Sequence, residues 1–71
     1  MFAERLKIAR GGKGFTQQAV ADCIGIKLAA YQHYEYNVRK PSFEVLVKLC
    51  LLLDVSSDWL LGLSDTRGRQ P

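Results

Sequence analysis

Residues 16–35 read Thr-Gln-Gln-Ala-Val-Ala-Asp-Cys-Ile-Gly-Ile-Lys-Leu-Ala-Ala-Tyr-Gln-His-Tyr-Glu, two short apolar patterns of helical period broken by one glycine. This stretch constrains the chain more than any other. Thr16 can cap a helix over 17–24, in which Val20, Ala21 and Ile24 fall on one face. Gly25 then permits a backbone turn that other residues resist. Ala21 is small where two helices must approach closely, and Ile26 is placed to plug the corner between them. A second helix follows from Leu28 to about Tyr36, with Tyr31 and Tyr34 inward and Lys27 where a Ser or Thr cap is usual. Two short helices joined this tightly cross steeply and leave the second projecting from the surface.

The rest of the chain reads as helices that support this pair. A first helix over about Phe2–Arg10 buries Phe2, Leu6 and Ala9 and is ended by Gly11, Gly12 and Gly14. After the polar connection Asn37-Val38-Arg39-Lys40-Pro41, Ser42 caps a fourth helix with the inward stripe Phe43, Leu46, Leu49, Cys50 and Leu53. Ser56 caps a last short helix through Leu61, with Trp59 and Leu60 inward and Gly62 just past its end. The expected fold class is all-α, five helices, with Leu6, Val20, Ile24, Tyr34, Leu46, Leu49 and Leu60 in one core. Residues 1–63 form the domain, the helix-turn-helix occupies about 17–36, and 64–71 is expected to be a flexible tail.

Composition narrows the function classes. A chain of 71 residues has room for one domain, and 48% hydrophobic content argues against disorder. The net charge of +3 suits nucleic acid without requiring it. Cys23 and Cys50 lie far apart on apolar helix faces, so buried reduced thiols are expected, with no metal, and a cytoplasmic location follows from that reading. His33 has no evident nucleophile, no Gly-rich phosphate loop follows a strand, and no paired carboxylates stand out. An enzyme is not expected, nor a cofactor.

The chain resembles the Xre, or lambda-repressor-like (Cro/C1-type), helix-turn-helix family. The resemblance is carried by Arg5-Leu6-Lys7, Lys13-Gly14-Phe15-Thr16-Gln17, Ala21, Gly25-Ile26, Tyr34-Glu35, Arg39-Lys40-Pro41-Ser42-Phe43-Glu44, Leu46, Lys48-Leu49 and Asp54-Val55-Ser56-Ser57-Asp58-Trp59-Leu60-Leu61-Gly62. It runs over residues 5–63 and implies a transcriptional regulator, most simply a repressor, whose third helix lies in the DNA major groove. It implies that Gln17, at the start of the helix that Thr16 caps, contacts a phosphate, to which its amide and the helix N-terminus both offer donors, with Thr16 beside it in the DNA-binding set. The resemblance implies that Lys27, Leu28, Ala29, Gln32 and His33 form the DNA-facing side of the third helix. Leu28 and Ala29 depart from the polar face common in the family, which leaves polar base reading to Gln32 and His33. His33 reads a base or is merely solvated. Tyr36 replaces a frequent Asn and either bonds phosphate or packs. By the same resemblance Asn37, where Gly is common, lies with Arg39 and Lys40 in a loop expected to hold phosphate, and Glu35 is expected to be structural.

The resemblance further implies a homodimer on a palindromic operator, formed in solution or only on DNA, through Leu52, Asp54, Ser57, Trp59 and Leu63. Trp59 could equally serve only the core. Ile8, Leu28 and Leu51 stand where the fold usually has polar residues, which suggests the alternative of an antitoxin-type module that binds a protein partner and its own operator. The initiating Met and short tail suggest a complete small regulator.

Overall fold

The computed structural model describes residues 1–68. Among them are five helices and no strand: α1 (Phe2–Gly12), α2 (Gln17–Ile24), α3 (Leu28–Glu35), α4 (Phe43–Leu53) and α5 (Ser57–Leu60). α2 packs on α3 and on α4, α1 packs on α3 and α5, and α4 packs on α5. No helix among the described residues is long and apolar enough to cross a membrane.

Local signals place the helix ends. Thr16 Oγ1 accepts from the Ala19 N–H at 3.0 Å, Ser42 Oγ from Val45 at 3.2 Å, and Ser56 Oγ from Trp59 at 3.0 Å. Each satisfies an N–H that has no partner within its helix. Gly25 closes α2 in the left-handed conformation, φ +75°, and the Ile26 N–H reaches back to the Ala21 carbonyl. α1 runs two residues further than its glycines suggest. Gly11 and Gly12 remain helical, and of the three glycines only Gly14 takes a left-handed φ, +72°. Arg10 secures this turn by donating to the Phe15 carbonyl at 2.9 Å.

The core comprises Leu6, Ala9, Val20, Ala21, Tyr31, Leu49 and Leu60, all fully buried, with Phe2, Ile24, Cys50, Leu53, Val55 and Trp59 around them. Tyr34, Leu46 and Ile26 pack against it half-buried. Two expectations fail. Phe43 is not in the α4 stripe; it is 88% exposed. It shares an arc with Cys50, but it sits in the first turn of α4, where no neighbouring helix covers it. Cys23 is exposed, because it lies behind Val20 and off the arc shared by Val20, Ala21 and Ile24; Cys50 alone is buried.

Residues 64–67, past α5, are bound to the body. Arg5 Nη1 donates to the Trp59 carbonyl at 2.6 Å and the Ser64 carbonyl at 2.8 Å. The Ser56 N–H donates to the Arg67 carbonyl at 2.9 Å. The Arg5 and Arg67 guanidinium groups stand 5.0 and 5.2 Å from the Trp59 ring centre. The tail expected from Ser64 onward thus begins with residues tied to α1 and α5, and its last part, 69–71, lies outside the described residues.

A buried carboxylate joins α1, α2 and α3. Glu35 Oε2 accepts from Arg10 Nε at 2.6 Å and from the Tyr31 hydroxyl at 2.5 Å, while Oε1 accepts from Arg10 Nη2 at 3.1 Å. Gln17 adds a third donor, at 3.0 Å to Oε1. Burial by itself would raise the Glu35 pKa. The hydrogen bonds from Arg10, Tyr31 and Gln17 and the Arg10 charge outweigh it and hold the carboxyl below its ordinary value. Burial, and then the bond to Glu35, push the Tyr31 hydroxyl well above the usual tyrosine range.

The turn at Gly25 and the carboxylate at Glu35 each set the expected effect of a substitution. No atom lies within 4 Å of a Cβ built on Gly25, so Gly25→Ala pays only for its left-handed φ, about 1–2 kcal/mol. Gly25→Asn should lose clearly less in thermal melts, since Asn tolerates that region. For Glu35, a lowered folded-state pKa means that the ionised group stabilises the protein above 4.5, and that this stability is lost as pH falls below 4.5 through the folded-state value. Glu35→Gln should be less stable at neutral pH by about 2–4 kcal/mol, since Arg10 loses its counter-charge. Urea unfolding of this variant should lose that part of the acid dependence, whereas an unchanged acid profile would show that other carboxylates carry it.

Candidate nucleic-acid interface

α3 presents its outer side along Lys27, Leu28, Ala29, Gln32, His33 and, just beyond its end, Tyr36. Lys27, Ala29 and Tyr36 are exposed, whereas Leu28, Gln32 and His33 are half-buried. Lys27 makes no capping bond with its side chain, so the first N–H groups of α3 are left to an outside acceptor. Lys27, His33 and Arg39 together with Ala29, Ala30 and Tyr34 line a shallow depression along the helix. Tyr34 is fixed beneath it by an edge-to-face contact with Tyr31, ring centres 6.4 Å apart.

Gln32 does not stand alone. Its Nε2 donates to Gln17 Oε1 at 3.1 Å. Gln17 Nε2 in turn donates to Glu35 Oε1 and, at 3.5 Å, to the Tyr36 hydroxyl. An ionised carboxylate can only accept, so Glu35 decides which way the Gln17 amide faces. With its nitrogen toward Glu35, Gln17 turns its oxygen to Gln32, and Gln32 must offer nitrogen to it. Gln32 therefore keeps one N–H and its carbonyl oxygen for an outside partner. The side chain of Gln17, which the sequence suggests as a phosphate ligand, is spent inside this chain of amides; what it retains at the start of α2 is its backbone N–H.

The loop after α3 supplies the positive margin. The His33 carbonyl accepts from the N–H groups of Val38 and Arg39 at 2.9 and 3.2 Å, and Asn37 turns the chain at φ +62°. Asn37 stands here because a left-handed residue is needed and asparagine adopts one readily. Its Oδ1 accepts from Lys40 Nζ at 2.7 Å, and Lys40 lies 5.6 Å from the Phe2 ring centre. Arg39 and Lys40 are exposed. Glu35 is the only acid between residues 26 and 41, and it is buried and paired, so the outward electrostatics of this face come from Lys27, Arg39 and Lys40.

Of the residues expected at a twofold contact, Asp54, Ser57 and Leu63 are exposed, Leu52 is half-buried against the core, and Trp59 is buried between Arg5 and Arg67. Ile8 and Leu51, marked in the sequence as unusual surface residues, are 54% and 58% exposed. Sequence reasoning missed the coupling of Gln17 to Gln32 and the identity of Arg10 as the partner of Glu35. The single acid in an otherwise basic and apolar stretch was the available signal that something must neutralise it.

Comparison with known proteins agrees with this geometry. A helix-turn-helix family model matches residues 6–60. The SPbeta prophage-derived HTH-type transcriptional regulator YonR of Bacillus subtilis is 46% identical over 61 residues, which are 86% of this chain and 56% of that protein. The chain spans about half the length of the curated relatives it matches. Among solved structures, Bacillus subtilis SinR in complex with DNA superposes with a TM-score of 0.79 at 32% identity, over 86% of this chain and 98% of that one. The P22 c2 repressor in complex with a synthetic operator gives 0.84 at 26% identity, over 90% and 97%. The chain belongs to the helix-turn-helix family of transcriptional regulators, in the lambda-repressor-like branch.

Proposed function

We propose that this chain binds double-stranded DNA sequence-specifically, with α3 in the major groove, and regulates transcription as a repressor. The observation that carries this reading is the Gln32 amide, held on the outer side of α3 by Gln17, in a stretch, residues 26–41, whose exposed charges are the cations Lys27, Arg39 and Lys40. The remaining N–H and carbonyl of Gln32 match the acceptor and donor that adenine shows in the major groove. His33 is the second polar group on that side. Leu28 and Ala29 offer apolar contact of the kind a thymine methyl accepts. The uncapped start of α3, the N-terminus of α2 beside Thr16, and Arg39 and Lys40 supply donors for phosphates on either side. A repressor needs only to occupy its operator, and the similarity to SinR in complex with DNA and to the P22 c2 repressor in complex with a synthetic operator supports that mode of action. Such a protein works in the cytoplasm, where the DNA is.

One α3 of 8 residues can read few base pairs, so two copies on an inverted repeat are expected, with half-sites about 34–36 Å apart as for other dimers of this motif.

Selection of bound duplexes from a random pool, followed by titration of the selected site, tests the reading. Gln32→Ala should lose about 1–3 kcal/mol of discrimination at one base pair of each half-site. Gln17→Ala should blur the same position and no other, because it frees Gln32 without removing it. His33→Ala should affect a different position. A selected sequence unchanged in all three variants would overturn the base-reading assignment. Separately, Arg39→Ala with Lys40→Ala should weaken all sequences alike and flatten the slope of log affinity against log salt by about 0.9 for each phosphate no longer neutralised. An unchanged slope would show these two residues to be solvated charges only.

A further inference from the structure

The outward face of α4 is apolar without being part of the core. Phe43, Val47 and Leu51 recur every fourth residue and are 88%, 57% and 58% exposed, so they form one stripe along the helix. Leu46 and Cys50 border it on the core side, and they line a shallow groove together with the stripe residues. A second depression, walled by Phe2, Lys40, Pro41, Phe43, Leu46 and Leu61, continues the stripe into the loop that carries Arg39 and Lys40. On the other flank of the stripe stand Glu44 and Lys48, both exposed, and neither takes part in an ion pair among the described residues.

We propose that this face docks a second copy of the chain, α4 antiparallel to α4, when two copies occupy adjacent half-sites; the inference rests on the DNA-binding reading above. A twofold axis passing near Val47 sets Phe43 against the partner's Leu51, and Leu51 against the partner's Phe43. Because Glu44 and Lys48 lie on the same flank, the same axis brings Glu44 alongside the partner's Lys48, and symmetry repeats the pair. A parallel twofold arrangement would instead set Glu44 and Lys48 against the partner's opposite flank, which carries Leu46 and Cys50 and offers them no charge. The face is thus complementary in charge to itself in one orientation only. The depression at Lys40 and Pro41 adds continuity with the DNA surface: a copy seated on α4 stands beside the loop whose cations face the phosphates. Three exposed apolar side chains and their margins fall short of the about 1,200 Å² that a stable interface buries. The contact therefore belongs to the DNA-bound pair and shows as cooperativity. It also moves the interface away from Leu52 and Trp59, which are turned inward.

The experiment titrates the full chain on two duplexes, one with a single half-site and one with the selected inverted repeat, and reads the affinity of the second copy relative to the first. The wild-type chain should fill the second half-site at least about fivefold more tightly than the first. Val47→Asp should reduce that ratio to one while leaving affinity for the single half-site unchanged. Glu44→Lys and Lys48→Glu should each lower the ratio, and the double variant should restore it, since exchanging both charges recreates the complementarity. Circular dichroism melts verify that these surface variants are folded. Independent filling by the wild-type chain, a ratio indifferent to Val47→Asp, or failure of the double variant to restore it would each overturn the docking surface. Absence of wild-type binding to the single half-site would instead overturn the DNA-binding reading beneath it.

Discussion

The Glu35 carboxylate is the group on which the rest of this small structure depends. It is the one buried charge among the described residues, and three helices send donors to it: Arg10 from α1, Gln17 from α2 and Tyr31 from its own helix. A buried ion pair contributes little net stability, because desolvation offsets much of the attraction. Its worth here is directional. Hydrogen bonds to a carboxylate have preferred geometry, whereas contacts among leucines and valines do not. The apolar core makes the helices collapse, and Glu35 fixes the rotation and height of α3 relative to α1 and α2.

That fixing extends to the surface. Because the carboxylate accepts only, it imposes an order on the amides beyond it, from Gln17 to Gln32. A flexible glutamine on an exposed helix must give up rotamer freedom when it meets a base. Gln32 has given up part of that freedom already, through a bond made inside the protein. The interior and the recognition face are thus one hydrogen-bonded system, and a change in the core that shifts Glu35 is felt at the outermost amide.

Much of this was legible in the sequence where the cause is local. Thr16, Ser42 and Ser56 cap the helices as their side chains dictate, Gly25 turns left-handed, and Asn37 does the same where glycine is common. The family pattern placed α3 and the following loop. The illegible parts depend on what covers a residue or on its distant partners. Phe43 fits the inward period of α4 and is exposed because nothing stands over the first turn. Cys23 looks apolar by type and misses the buried arc of α2. Gln17 and Gln32 lie 15 positions apart, and only the crossing of α2 and α3 reveals that their amides meet. Arg67 reads as a tail cation until Trp59 is seen between it and Arg5.

The clasp around Trp59 has a consequence for how the molecule comes apart. Arg5 bonds to carbonyls 54 and 59 residues further along the chain, so nearly the whole sequence lies within the loop that these contacts close. Contacts of such long separation reward folding only after the entropy of closing that loop has been lost. The α2–α3 pair is local by comparison, yet α3 also leans on α1, and α1 is held by the clasp. Fraying therefore cannot stay confined to one end. Releasing the Arg5–Trp59 contacts loosens α1, and with it the Arg10 that anchors Glu35, so the recognition helix and the opposite end of the chain unfold as a single cooperative unit.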